Sequence, residues 1–383
     1  MPRRPDHPGS RRRHRGHRRR CVLRPAAGRR RGARGSTRWS VFLSGCDRAS
    51  AFAPASVSNV ACGFDVLGFA LDSELGDRVS VQRCDRPGVR LLSISGDHGQ
   101  LPVDPARNTA GVAARSMLER LVARGAAPPD VGIEIEIEKR MPISSGIGSS
   151  AASAAAAAAA VDALFGGSTP CGELLGCALD GEALASGSRH ADNVAPALFG
   201  GLLAVRTLAP EPDLVRLPCP AWLSCALVLP EIAVSTCAAR AALGERVALP
   251  VAVQQSANLA ALVHALHTDD ADLLGRALVD LIAEPCRKAA VPGFDAAMQA
   301  AREAGALGGS LSGSGPALFA LCREAAAGEV PSVARGAAEA MAKTLRGAGV
   351  AARSLGVRIA MDGARSRTEI VGAESTTPRA AGR

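Results

Sequence analysis

Nine residues, Pro142-Ile143-Ser144-Ser145-Gly146-Ile147-Gly148-Ser149-Ser150, run directly into Ala151 to Leu164, a segment that is almost entirely alanine. Alanine has the highest intrinsic helix propensity, so the junction reads as a glycine- and serine-rich loop that opens a helix. Unpaired backbone N–H groups and the positive end of the helix dipole then face one point, which is how helix N-termini bind phosphate. Gly146 to Ser150 is a candidate phosphate cradle on that ground. It is not a Walker loop, which requires a lysine inside the motif, because the lysines of this chain are Lys139, Lys288 and Lys343. It is not a dinucleotide fingerprint either, since its glycines are followed by serines. Taken alone, the loop reads equally well as the cap of a core helix. A second glycine-rich segment, Gly309-Ser310-Leu311-Ser312-Gly313-Ser314-Gly315-Pro316, would let backbone approach a ligand closely or would be an ordinary turn before a strand.

Read with other segments, the loop becomes specific. Ala53-Pro54-Ala55-Ser56-Val57-Ser58-Asn59 followed by Cys62-Gly63-Phe64-Asp65-Val66-Leu67-Gly68, the loop from Pro142 to Ser153, and Gly309 to Pro316 resemble the three motifs of the GHMP kinase superfamily. Gly187-Ser188-Arg189-His190-Ala191-Asp192-Asn193-Val194-Ala195-Pro196, Val234-Ser235-Thr236-Cys237-Ala238-Ala239-Arg240 and Glu284-Pro285-Cys286-Arg287 resemble the branch that phosphorylates homoserine. The matched segments run from about residue 50 to about residue 320, and the arginine-rich start of the chain has no counterpart in the family pattern.

The resemblance implies a two-domain α+β GHMP kinase fold, with an N-terminal ribosomal-protein-S5-like α/β domain and a C-terminal ferredoxin-like α+β domain. It implies transfer of the γ-phosphoryl group of ATP, with Mg²⁺, to the side-chain hydroxyl of L-homoserine, giving O-phospho-L-homoserine for threonine biosynthesis. A cytoplasmic homodimer is the state it suggests.

Residue by residue, the resemblance places Pro142, Ser144, Ser145, Gly146, Ile147, Gly148, Ser149 and Ser150 around the ATP phosphates. It places Ser150 and Glu182 at Mg²⁺, a hard cation that prefers oxygen ligands. Homoserine is a zwitterion: Asp65 matches the acceptor for its ammonium, and Arg240 and Arg287 match the guanidinium forks for its carboxylate. Asn59 and His190 complete the pocket. Some relatives use an aspartate as general base, and Asp192 is the match here. The alternative is that the hydroxyl loses its proton late in a loose transition state, with Asn193 and His190 orienting the substrate and Asp192 supporting the pocket. Without the surrounding motifs, Glu182 would read as a solvated helix carboxylate, Arg240 as a surface charge and His190 as a satisfied buried histidine.

These residues need elements to position them. Val131, Ile133, Ile135 and Ile137 alternate with Glu134, Glu136 and Glu138, the period-two pattern of a strand with one buried face. Arg78 to Arg83, Leu202 to Val205, Trp222 to Leu229 and Pro316 to Cys322 read as further strands. Helical patterns cover Thr109 to Arg124, Cys171 to Ala185, Val253 to His267 and Asp272 to Ile282. Strands and helices in mixed order argue for α+β. The expected division is a disordered extension over 1–48, an ATP-binding domain over 49–205, a second domain over 206–363 and a flexible tail over 364–383.

Composition sets the outer limits. The 383 residues are 47% hydrophobic, which excludes a wholly disordered chain. The net charge of +9 suggests a polyanion partner until it is divided: residues 1 to 48 hold 16 arginines against Asp6 and Asp47, which is +14, and the remainder therefore carries −5. A mildly acidic body does not have nucleic acid as its main partner. The basic segment lacks the apolar run of a secretory signal, and four prolines and six glycines break any amphipathic transit helix. A rival reading has a catalytically silent protein whose arginine-rich segment binds RNA; with no aromatic before Trp39 to stack on bases, that role is disfavoured. The uncharged stretches Met141 to Val161 and Gly305 to Cys322 are too rich in Gly, Ser and Pro for a membrane span. The odd count of 11 cysteines, with no C-x-x-C spacing, indicates reduced thiols in a cytoplasmic protein.

Overall fold

A computed structural model describes residues 47–234, 236–325 and 331–369. The arginine-rich extension up to residue 46, Ser235 of the motif ending at Arg240, and the tail from residue 370 lie outside the described residues. The first half of the chain runs β1 (Arg48–Pro54), β2 (Ser56–Ser58), β3 (Leu67–Asp72), β4 (Gly76–Cys84), β5 (Gly88–Ser95), α1 (Thr109–Ala123), β6 (Gly132–Lys139), α2 (Ser149–Leu164), α3 (Cys171–Ser186), α4 (Ala191–Phe199), β7 (Leu202–Thr207) and β8 (Asp213–Leu217). The second runs β9 (Leu223–Pro230), α5 (Thr236–Ala241), α6 (Leu249–Thr268), α7 (Ala271–Ala277), α8 (Glu284–Arg287), α9 (Phe294–Glu303), β10 (Ala306–Leu311), β11 (Leu318–Arg323), α10 (Ser332–Gly347), β12 (Ala352–Ile359) and β13 (Arg365–Glu369). Among the described residues, no helix is long and apolar enough to cross a membrane.

Five strands form one sheet in the order β13-β1-β4-β6-β5, antiparallel except for β5 beside β6. The alternation seen in the sequence is realised in β6: Ile133, Ile135 and Ile137 are buried, while Glu134, Glu136 and Glu138 face out and pair with Arg90, Arg48 and Arg78. The buried face receives α2, whose residues Ala151 to Ala158 are all buried, with nothing larger than Ser153 among them. A helix apolar all round belongs in an interior, and small side chains let α1, α3, β1 and β4 all close on it.

The second sheet has eight strands, in the order β10-β11-β9-β12-β3-β7-β8 with β2 added beside β3. Both halves of the chain contribute to it, joined where Arg358 and Ile359 of β12 meet Asp72 and Leu71 of β3. A cut between residues 205 and 206 would run through β7, which pairs with β8 from Leu202↔Leu217 to Thr207↔Asp213. Strand β9 is buried on both faces: Cys225, Leu227 and Leu229 join the large core, while Ala226 and Val228 join a second one built from α9, α10 and β11. That is the reason it reads as an unbroken apolar run.

Three expectations need correction. The helix expected over Asp272 to Ile282 ends at Ala277, because the Asp280 carboxylate accepts from the N–H groups of Ile282 (2.8 Å), Ala283 (2.9 Å) and Glu284 (3.0 Å) and starts α8 instead. The helix expected from Val253 begins at Leu249. The tail expected to be flexible from residue 364 continues through β13, an edge strand paired along β1 from Arg48↔Glu369 to Phe52↔Arg365.

Gly68 of β3 fixes how closely α4 approaches that sheet, since a Cβ there would lie 1.6 Å from the Asp192 carbonyl oxygen. Overpacking of this kind costs about 1–3 kcal/mol. Gly68→Ala should therefore lower the melting temperature by several degrees, read by calorimetry. An unchanged melt would mean that α4 shifts at no cost.

Candidate active site

The loop before α2 is held open by backbone conformation. Ser144, Gly146 and Gly148 all have positive φ, at 56°, 83° and 71°, and only glycine adopts such angles freely. A Cβ on Gly146 would meet the Gly315 carbonyl oxygen at 2.7 Å, and one on Gly148 would meet Ser56 Oγ at 2.4 Å and Asn193 Oδ1 at 2.9 Å. The third glycine segment therefore does bring backbone against the first: Ser312 Oγ donates to the Gly146 carbonyl at 2.6 Å. Ser144, Ser145, Gly146, Gly148, Ser149 and Ser150 border a cleft of about 440 Å³. Ile147 instead points into the core, and Pro142 accepts from Ser145 Oγ at 2.7 Å through its carbonyl without bordering the cleft.

Beneath the cradle lies a buried ion pair that the sequence reading passed over. Lys139 Nζ donates to the Asp77 carboxylate, to Ser149 Oγ at 2.7 Å, to the Ser149 carbonyl at 3.0 Å and to Ser153 Oγ at 3.0 Å. Ser153 also donates to Asp77 at 2.6 Å. The lysine thus fastens the end of β6 to the first turn of α2. A rare lysine three residues before Pro142 was the available signal.

The opposite wall comes from α3 and α4. Gly181 lets α3 close on its neighbours, because a Cβ there would lie 2.4 Å from the Thr109 carbonyl and 3.0 Å from Ala113 and Ala154. This brings Glu182 beside Ser150 at the cleft. Burial raises the Glu182 pKa to about 7, against the opposing influence of the nearby Ser150 hydroxyl, and Glu182 Oε2 is buried without a hydrogen-bond partner. On α4, Asn193 accepts from Ser56 Oγ at 2.8 Å and donates to Ser58 Oγ at 2.8 Å. Asp192 is buried, and desolvation followed by repulsion from Asp65 raises its pKa to about 7. His190 precedes the first turn of α4 and bonds Ser188 Oγ at 2.9 Å through Nε2. Burial and the nearby Arg240 and Arg287 lower its pKa, against the pull of Asp65, which favours the neutral imidazole.

In the loop after β2, Asn59, Val60 and Ala61 occupy the left-handed region in succession, with φ of 67°, 44° and 55°, and Asp65 follows at 56°. For a β-branched residue such as Val60 this is a genuine strain. Hydrogen bonds hold the loop in place: Asn59 Nδ2 donates to the Gly313 carbonyl at 3.1 Å and Asn59 Oδ1 accepts from the Asp65 N–H at 3.1 Å. Arg287 donates through Nη1 to the same Gly313 carbonyl at 2.9 Å and through Nε to Ala239 at 3.4 Å. Arg240 Nη1 donates to Asp65 Oδ2 at 2.6 Å. Both guanidinium groups lie over the Phe64 ring, at 5.3 and 5.5 Å from its centroid. The cleft is bordered by Asn59, Asp65, His190, Asp192, Asn193, Arg240 and Arg287 as well as by Glu182. Segments as far apart in the sequence as Ser58 and Ser314, 256 positions, are thereby gathered around one space.

One further missed residue is Gln255 of α6. Its buried amide donates to the Cys62 carbonyl at 3.0 Å and accepts from the Leu281 N–H at 2.9 Å, tying the Asp65 loop to the segment that carries Arg287. A polar residue within an apolar helical pattern gave little warning of it.

Two family models match the chain: GHMP kinases N terminal domain over residues 108–201 and GHMP kinases C terminal over residues 262–340. Fold and cleft together define a two-domain GHMP kinase, a phosphotransferase. A homoserine kinase of Chloroherpeton thalassium is 45% identical over 299 residues, covering 77% of this chain and 91% of the relative. One of Xylella fastidiosa is 44% identical over 307 residues, covering 80% and 88%. The crystal structure of homoserine kinase from Cytophaga hutchinsonii superimposes with a TM-score of 0.78 at 43% identity, covering 85% of this chain and 99% of that one. The chain belongs to the homoserine kinase family.

The raised pKa values of Glu182 and Asp192 have a consequence for the protein without ligands. Both carboxyl groups hold a proton more tightly folded than unfolded, so folding takes up protons between about pH 4 and pH 7 and stability falls as pH rises through that window. Melting temperature should drop from pH 5.5 to pH 7.5 in metal-free buffer, and Glu182→Gln should flatten the drop. A melting temperature that rises over this range would contradict the assignment.

Proposed function

We propose that the chain transfers the γ-phosphoryl group of ATP to the side-chain hydroxyl of L-homoserine. The observation that carries this reading is the layout of the cleft. The candidate phosphate cradle, one carboxylate and two arginine forks border the same cleft, a charge pattern that suits phosphates beside an α-amino acid and that a sugar or isoprenoid alcohol would not use.

In the proposed mechanism, N–H groups of the loop and the first turn of α2 receive the phosphates. Mg²⁺ fits beside them, because Glu182 Oε2 is an unpartnered buried oxygen next to the Ser150 hydroxyl, and magnesium sites commonly use one or two carboxylates with substrate phosphates and water. When bound, the ion neutralises charge on the transferred group. Asp65 takes the substrate ammonium, and Arg240 and Arg287 take its carboxylate. Asn193, fixed by Ser56 and Ser58, and neutral His190 orient the hydroxyl for in-line attack. Asp192 supports this wall while the hydroxyl proton leaves late, so that positioning and charge neutralisation supply most of the rate. We further propose a cytoplasmic homodimer, for which exposed Leu249 and Val253 on α6 offer apolar surface; sedimentation of the full chain tests the stoichiometry.

ATP consumption measured across homoserine, mevalonate, galactose and shikimate should be confined to homoserine. Arg240→Leu should raise the KM for homoserine at least tenfold while moving that for ATP little. Equal small changes in both would place Arg240 outside the substrate pocket.

Single-turnover phosphoryl transfer separates the remaining roles. Glu182→Gln should reduce the rate sharply and alter its dependence on free Mg²⁺. Asp192→Asn should cost well under the ~10²- to 10⁴-fold expected for a lost general base. A larger loss in folded, ATP-binding Asp192→Asn protein would make Asp192 the base.

A further inference from the structure

Within the cleft, two of the groups assigned to homoserine hold each other. Arg240 Nη1 donates to Asp65 Oδ2 at 2.6 Å, with the two side chains 43% and 32% exposed. Their supports are unequal. Asp65 is fixed by its own N–H bond to Asn59 within the strained left-handed loop. Arg287 is 7% exposed and already committed to the carbonyls of Gly313 and Ala239. Among the described residues Arg240 has no such anchor beyond Asp65 and the Phe64 face, and it sits on the six-residue helix α5. It is the group best able to swing.

We infer that the Asp65–Arg240 ion pair is a specificity gate, closed on itself when the cleft is empty and opened without net loss only by a ligand that carries both an ammonium and a carboxylate. The inference rests on the homoserine reading and adds to it. A zwitterion re-pairs both ends: its ammonium replaces Arg240 at Asp65, and its carboxylate replaces Asp65 at Arg240. A ligand with a carboxylate alone takes Arg240 and strips Asp65 of its partner. One with an ammonium alone takes Asp65 and leaves two guanidinium groups facing each other over Phe64. Each singly charged ligand thus breaks the pair and restores half of it. Such unmatched groups select by penalising wrong ligands rather than by favouring the right one. A pair this exposed is worth up to about fivefold in affinity, which sets the scale of the penalty.

The test uses two truncated analogues of homoserine: 4-hydroxybutyrate, which lacks the ammonium, and 3-aminopropan-1-ol, which lacks the carboxylate. Asp65→Asn suits the left-handed position, because asparagine adopts it readily. In the full chain, calorimetric titration should show Asp65→Asn binding 4-hydroxybutyrate about two- to fivefold more tightly than the unaltered protein, while homoserine binds at least tenfold more weakly. Arg240→Leu should give the mirror result, a gain of about two- to fivefold for 3-aminopropan-1-ol with a loss for homoserine. Removing a negative charge could favour any anion, so the double variant Asp65→Asn with Arg240→Leu decides the cause. If release of Arg240 is responsible, the 4-hydroxybutyrate gain from Asp65→Asn vanishes in the Arg240→Leu background. A gain that persists there, or no gain in either single variant while the unaltered protein still phosphorylates homoserine, overturns the gate and leaves the substrate reading standing. Absence of homoserine turnover in the unaltered protein overturns the substrate reading, and the gate with it.

Discussion

At the N-terminus of α2, backbone meets backbone with almost no side-chain volume between. Gly146 touches the third glycine segment and Gly148 touches Ser56 and Asn193, so a single added methyl at either position would collide with a neighbouring strand, loop or helix. Much of the molecule follows from this close approach. It demands positive φ at the loop, a helix whose walls are thin enough to be buried on every side, and a lysine beneath to fasten strand to helix. The alanine run is the means: small side chains bring four neighbours near enough that the polar groups they carry converge on the helix end.

Convergence has an electrostatic cost, and the molecule meets it in two ways. Where no titration is needed, opposite charges are buried together, as in Lys139 with Asp77 and two serines, a cluster in which each partner leaves the other uncompensated if removed. Where a ligand is to arrive, carboxylates are buried without a full partner, and Glu182 and Asp192 retain protons near neutrality. Perturbed acids cluster at functional sites for this reason. A cationic ligand or a substrate ammonium would complete these environments.

Much of this was legible in the residues. Period-two alternation located β6, the alanine run located α2, and the glycine segments together pointed to the cleft. Asn193, His190, Asp65, Arg240 and Arg287, each inside a recognisable segment, and Glu182, eight residues before His190, all border the cleft. What stayed hidden depends on contacts distant in sequence. Asp280 ends α7 through bonds to three N–H groups that no helical pattern announces, and Gln255 matters only because α6 passes behind the Asp65 loop. The left-handed run at Asn59, Val60 and Ala61 contradicts local preference outright, since Val60 and Ala61 disfavour it, and only surrounding packing and the Asn59 bonds sustain it. The division at residue 205 failed to anticipate a sheet shared by both halves of the chain.

The pairing of β13 with β1 ties the last described strand to the first. During synthesis, β1 emerges early and finds β4 soon afterwards, but its outer edge stays open until more than 300 further residues have been made. For that interval the nascent chain presents an unpaired strand edge, the kind of surface on which other chains can pair. The ionic flank offered by Arg48 limits such pairing in the meantime. Closure of the sheet is therefore among the last long-range events available to the growing chain, and the time spent waiting for it grows with the length of the segment between the two strands.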